Sequence, residues 1–74
     1  MSESPTIDEL VSLCSELLPG TTPTPDSNLF ALGGDSLTVS TLSALVEARW
    51  GVMIEAGQIF VARDLASLHR AIHA

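Results

Sequence analysis

The chain has 74 residues, 46% of them hydrophobic and 16% charged, which is a globular composition with one small core and excludes an intrinsically disordered chain. Nine acids stand against three arginines and no lysine, a net charge of −6 that opposes nucleic acid phosphates and anionic membrane surfaces and favours basic patches on proteins. The single cysteine excludes an internal disulfide, no apolar run is long enough to span a bilayer, and no secretion signal opens the chain, so the expected compartment is the cytoplasm.

The first element follows Pro5. Thr6-Ile7-Asp8-Glu9 reads as a capping box, with Thr6 as N-cap and Glu9 at the third helical position. Ile7, Leu10, Val11, Cys14, Leu17 and Leu18 recur at helical spacing on one face, and Pro19-Gly20 stops the helix. Cys14 lies on that apolar stripe and reads as a small core residue, not a nucleophile. A long loop follows, from Thr21 to Leu32, with turn chemistry over Thr22-Pro23-Thr24-Pro25-Asp26-Ser27. Leu29, Phe30 and Leu32 are its expected anchors, with Phe30 buried beneath the loop.

The loop ends in Leu32-Gly33-Gly34-Asp35-Ser36-Leu37. Paired glycines permit a tight turn and a close approach by another protein. Asp35 is a good N-cap, which puts Ser36 on the first turn of a helix, at its positive end. Such a position tolerates an anion such as a phosphate, and a serine there can be reached by an enzyme.

The second helix is expected from Ser36 to about Trp50. Val39, Leu42, Val46 and Trp50 form its core stripe, with Leu45 at the border. The opposite face carries Leu37, Thr38, Ser40, Thr41, Ala44, Glu47 and Ala48. So little charge on a helix surface marks a contact face. Gly51 ends the helix. Val52-Met53-Ile54, with no partner strand, is expected as a loop packed on the core. Glu55 to Phe60 reads as a short third helix with Ile59 and Phe60 pointing inward. Asp64 caps a last helix whose stripe is Leu65, Leu68 and Ile72. His69 and His73 are four apart there, too few ligands for a zinc site.

Three chemistries are open for Ser36. A catalytic nucleophile needs a base and an orienting group, yet the histidines lie only on the last helix, and a core this small offers no deep substrate pocket. A helical interaction module would carry nothing on the serine. A carrier would hold a covalent group there. The string Asn28-Leu29-Phe30-Ala31-Leu32-Gly33-Gly34-Asp35-Ser36-Leu37 resembles the attachment-site motif of the acyl and peptidyl carrier protein family. The chain is also similar to that family in length and in the order of its elements.

The resemblance implies an all-α four-helix bundle of the acyl carrier type, three longer helices and one short, with a long loop between the first two. It implies one carrier domain over residues 1–74 that is monomeric and not itself an enzyme. It implies phosphopantetheine from coenzyme A on Ser36, flanked by Gly34, Asp35 and Leu37, with Leu37, Thr38, Thr41 and Ala44 as the partner face. The implied partners are a phosphopantetheinyl transferase that supplies magnesium, an adenylation or acyl-loading enzyme, and condensing or tailoring enzymes. Neither nucleic acid nor membrane is among them. Glu47 is the one acid within the second helix, and the paired Gly33-Gly34 looks more like carriers of nonribosomal peptide assembly than of fatty acid synthesis. A polyketide-type or fatty-acid-type acyl carrier is the alternative. Met1 and Ala74 lie close to the outer helices, as in a freestanding carrier or an excised domain.

Overall fold

The computed structural model describes residues 4–72; His73 lies outside the described residues. It is all helical, with α1 (Ile7–Leu17), α2 (Ser36–Trp50), α3 (Ala56–Val61) and α4 (Leu65–Ile72). Among the described residues there is no strand. The helices form a ring in which α1 and α3 each touch both α2 and α4. No helix of the described residues is long and apolar enough to cross a membrane.

Each helix begins where its cap chemistry dictates. At α1 the Glu9 N–H donates to Thr6 Oγ1 at 3.1 Å, and the Thr6 N–H donates to Glu9 Oε1 at 2.9 Å. Asp35 caps α2 and Asp64 caps α4, the latter by accepting from the Ser67 N–H at 2.7 Å. The start of α3 is closed by the Glu55 N–H donating to Gln58 Oε1 at 2.9 Å.

The core draws on every helix. Leu10, Leu13 and Cys14 come from α1, Val39, Leu42 and Val46 from α2, Ile59 from α3, and Leu65 and Leu68 from α4. Leu29 and Ile54 enter from the loops. Leu13 lies outside the expected stripe, yet it stands three residues after Leu10 on the same helical face and is buried. Burial pushes the Cys14 thiol up to about 11, so it stays protonated and packs as a small apolar group. Ile54 holds its loop on α2, its carbonyl accepting from Ser43 Oγ at 2.6 Å.

Two aromatic expectations are corrected. Phe60 is 52% exposed, while Ile59 is buried. Adjacent helical residues point about 100° apart, so a short α3 cannot turn both inward. Phe30 is half-buried, and it is Leu29 that occupies the core beneath the loop. The Phe30 ring instead stacks on Phe60, with centroids 5.4 Å apart and planes 9° from parallel. Both rings cover part of each other at the surface, a favoured use of aromatic area that needs no core volume.

Candidate functional site

The site is built from the loop upward. A tight turn closes at residues 24–27, where the Thr24 N–H donates to Ser27 Oγ and the Ser27 N–H to the Thr24 carbonyl, both at 2.9 Å. The carbonyls of Ser27 and Pro25 then accept the N–H groups of Leu65 and Ala66, each at 2.9 Å. Those are first-turn donors of α4, which lack acceptors within their own helix. The loop therefore satisfies the start of α4 while α4 fixes the loop.

Asn28 carries the next step. Its Oδ1 accepts from the N–H groups of Phe30 at 2.9 Å and Ala31 at 3.0 Å, an Asx turn. Its Nδ2 donates to the Arg63 carbonyl at 2.9 Å. Three further backbone bonds close the coil: Leu32 N–H to the Asn28 carbonyl, Gly33 N–H to Phe30, and Gly34 N–H to Leu29, at 3.0–3.1 Å.

The two glycines have separate reasons. Gly33 has φ +102°, in the region that favours glycine. At Gly34 a Cβ would lie 2.8 Å from the Leu29 carbonyl oxygen and 3.0 Å from its side chain. Glycine at 34 is thus required by close approach, and buried Leu29 forms the floor of the turn.

Asp35 closes the turn onto α2. Its Oδ1 accepts from the Thr38 N–H at 3.0 Å and from Thr38 Oγ1 at 3.1 Å. These bonds hold the exposed Asp35 carboxyl below its ordinary range, the backbone bond from Thr38 contributing most. Asp35 thereby uses the Thr38 donor. The Leu37 N–H also bears on that carboxylate, and the N-terminal end of α2 as a whole is where an anion is favoured. Ser36 is exposed in that first turn.

The structure brings Gly34, Asp35, Ser36 and Leu37 together at one surface. Leu37 is 74% exposed, and Ala44 is exposed on the same helix. Thr38 and Thr41 are only half-buried neighbours of that face, Thr38 because its hydroxyl turns back to Asp35. Ala44 lies about 12 Å from Ser36 along the axis, from a rise of about 1.5 Å per residue. Sequence reasoning missed Asn28 as a hub, although its place two residues before Phe30 is an Asx-turn signal. It also missed Met53 and Val61, which are 74% and 80% exposed.

Two surface clefts of about 230 and 250 Å³ lie elsewhere, and neither is lined by Ser36. Among the described residues no group of three or more His, Cys, Asp or Glu is placed to hold a metal.

The family described as the phosphopantetheine attachment site matches residues 8–72. A hybrid PKS-NRPS synthetase of Macrophomina phaseolina is 31% identical over 71 residues, which is 93% of this chain and 2% of that protein. A nonribosomal peptide synthetase of Aspergillus hancockii is 43% identical over 61 residues, 80% of this chain and 5% of that protein. The chain thus spans only a few hundredths of the length of these curated relatives. No solved structure matches at comparable significance.

Proposed function

Since the chain belongs to the phosphopantetheine attachment site family, we propose that Ser36 is the serine that carries the arm and that residues 1–74 act as one carrier domain. One observation carries the assignment: an exposed hydroxyl on the first turn of α2, presented by the fitted turn through Gly34. The surroundings fit a phosphodiester. The helix end is positive, and the nearest carboxylate, Asp35, is turned to Thr38 as a cap.

The residues of this chain do little chemistry. Ser36 Oγ would attack the phosphorus of coenzyme A next to the pantetheine, the pyrophosphate bond would break with adenosine 3′,5′-bisphosphate leaving, and the serine proton would pass to a base that the transferase brings. The positive N-terminal end of α2 would favour the charge of the attached phosphodiester. Leu37 and Ala44 offer an apolar surface to the enzymes that dock, with Thr41 at its edge. When attached, the arm supplies a terminal thiol that holds acyl or aminoacyl groups as thioesters. Tethering raises the effective concentration of that cargo for each enzyme in turn. The chain itself is not a catalyst.

The relatives' names support secondary-metabolite assembly and, within it, a peptidyl or aminoacyl carrier. The hybrid relative favours a polyketide-type acyl carrier as the second reading. The partners are then a phosphopantetheinyl transferase, an adenylation or acyl-loading enzyme, and condensing or tailoring enzymes, in the cytoplasm.

Mass spectrometry tests the assignment. With coenzyme A, magnesium and a transferase, the parent should gain one phosphopantetheinyl unit, and Ser36→Ala should gain none while keeping its circular dichroism. Modification of Ser36→Ala would place the arm elsewhere. Leu37→Asp tests the docking face, and its modification should slow strongly. Burying a leucine is worth on the order of 2 kcal/mol against about 1 or less for an exposed ion pair. Full-speed modification of Leu37→Asp would remove that face from the reading.

A further inference from the structure

We infer that Asn28, through its tether to the Arg63 carbonyl, is a positioning residue for transfer of the arm to Ser36; this rests on Ser36 being the attachment site. Asn28 stands eight residues before Ser36. Its importance is in where it is tied. Both ends of its amide are used, two backbone N–H groups on Oδ1 and one carbonyl on Nδ2. The Nδ2 bond crosses 35 residues of sequence to the α3–α4 junction.

The surrounding contacts run between the same two segments. Pro25 and Ser27 accept from Ala66 and Leu65, and Phe30 stacks on Phe60. Segment 25–30 is therefore held against segment 60–66 by backbone bonds, one side-chain amide and one ring pair. From Asn28 onward the chain has little slack. The carbonyls of Asn28, Leu29 and Phe30 each accept an N–H from Leu32 to Gly34, and Asp35 caps the helix. The position of Ser36 is thus fixed from two sides: from behind by α2, and from in front by a coil moored to α3 and α4.

Transfer needs the hydroxyl in line with the phosphorus, and misplacement by about 1 Å can cost about 100-fold in rate. The bonds of Asn28 go to Phe30, Ala31 and Arg63, whereas the docking face is carried by Leu37 and Ala44 on α2. Loss of the mooring should therefore reduce kcat for modification and leave KM for the carrier alone. Asn28→Ala removes all three bonds. Asn28→Asp keeps both acceptor bonds within the turn and sets a carboxylate oxygen against the Arg63 carbonyl, so it cuts only the tether.

The experiment is steady-state transfer from coenzyme A by a phosphopantetheinyl transferase, at a temperature where circular dichroism shows each variant folded. Asn28→Ala should lower kcat about tenfold or more with KM within about twofold of the parent, and Asn28→Asp should lower it by a smaller factor. Thr24→Ala is the control. It removes the Thr24–Ser27 hydroxyl contact, leaves Asn28 untouched, and should melt lower with an unchanged kcat. A parent-like kcat for Asn28→Asp overturns the inference, as does a loss in Asn28→Ala carried wholly by KM. If Asn28→Ala does not fold, Asn28→Asp alone decides. Modification of Ser36→Ala, or none of the parent, would instead sink the Ser36 assignment itself.

Discussion

The two ends of α2 are closed by different means. At its C-terminus the helix runs into Gly51, with φ +70° and a 2.8 Å bond from its N–H to the Glu47 carbonyl. Nothing lies within 4 Å of where a Cβ would stand on Gly51. At its N-terminus the helix begins on a turn in which the space beside Gly34 is already filled by Leu29. Gly51 is a stop that any helix uses. Gly34 belongs to a fitted surface, and beside it stand an exposed serine and an exposed leucine. The constraint around Ser36 exceeds what a helix end needs, and it lies where the arm is proposed to be attached.

The largest expected effect breaks the floor of that turn. Leu29→Ala should cost about 3 kcal/mol, as a buried leucine truncated in a core does. Phe30→Ala should cost about 1 kcal/mol, since the ring is half-buried and loses chiefly its stack on Phe60. Urea denaturation of both variants checks the order. A reversed order would restore Phe30 as the anchor.

Next come the glycines. Gly34→Ala should cost about 2 kcal/mol by overpacking, because the new methyl meets backbone that cannot swing away. Gly51→Ala has open space and only a left-handed φ to bear, so about 1 kcal/mol is expected. Modification at Ser36 should slow in Gly34→Ala and stay at the parent rate in Gly51→Ala. Equal rates in the two variants would erase the difference between the helix ends.

Much of this was legible in the sequence. All four helices, their caps at Thr6, Asp35 and Asp64, and the core stripe of α2 follow from local rules, because periodicity and cap chemistry act within a turn or two. The exposed place of Ser36 on the first turn of α2 was legible for the same reason. Leu29 was legible as an anchor of the loop, but the surface place of Phe30 and the role of Asn28 were not. Which of two adjacent apolar residues enters the core depends on the path of a loop, and the partners of Phe30 and Asn28 lie about 30 residues or more away, on Phe60 and Arg63. The fitted turn was visible as a motif, but its mooring was a tertiary fact.

A pH titration sharpens the comparison electrostatically. Asp35 and Asp64 both have lowered carboxyl pKa values, Asp35 by bonds from Thr38 and Asp64 by bonds from Ser67. A depressed folded pKa means stability that is present above the unfolded value, about 3.9, and lost as pH falls through the folded value. The melting temperature should thus hold from pH 7 to about pH 4 and fall below it. Asp35→Asn, which cannot take up that proton, should show a shallower fall. An identical slope in parent and variant would mean that Asp35 is not held by its cap bonds in solution.

The smallest effect is expected at the generic end. Arg49 and Glu16 approach to 3.7 Å across α2 and α1, with side chains 47% and 61% exposed. An exposed pair of this kind contributes about 0.5 kcal/mol, because water screens both charges and two long side chains lose freedom to meet. In a domain of this size that corresponds to about 3 °C in Tm. Glu16→Gln should therefore melt within about 3 °C of the parent in dilute buffer, and the two should coincide in 1 M salt, where the Debye length is about 3 Å. Arg49 lies thirteen residues beyond Ser36, about 20 Å along the axis, so the rate of modification should not change. A drop well beyond 3 °C, or slower modification of Glu16→Gln, would show that the far end of α2 is tuned as closely as the end that presents the serine.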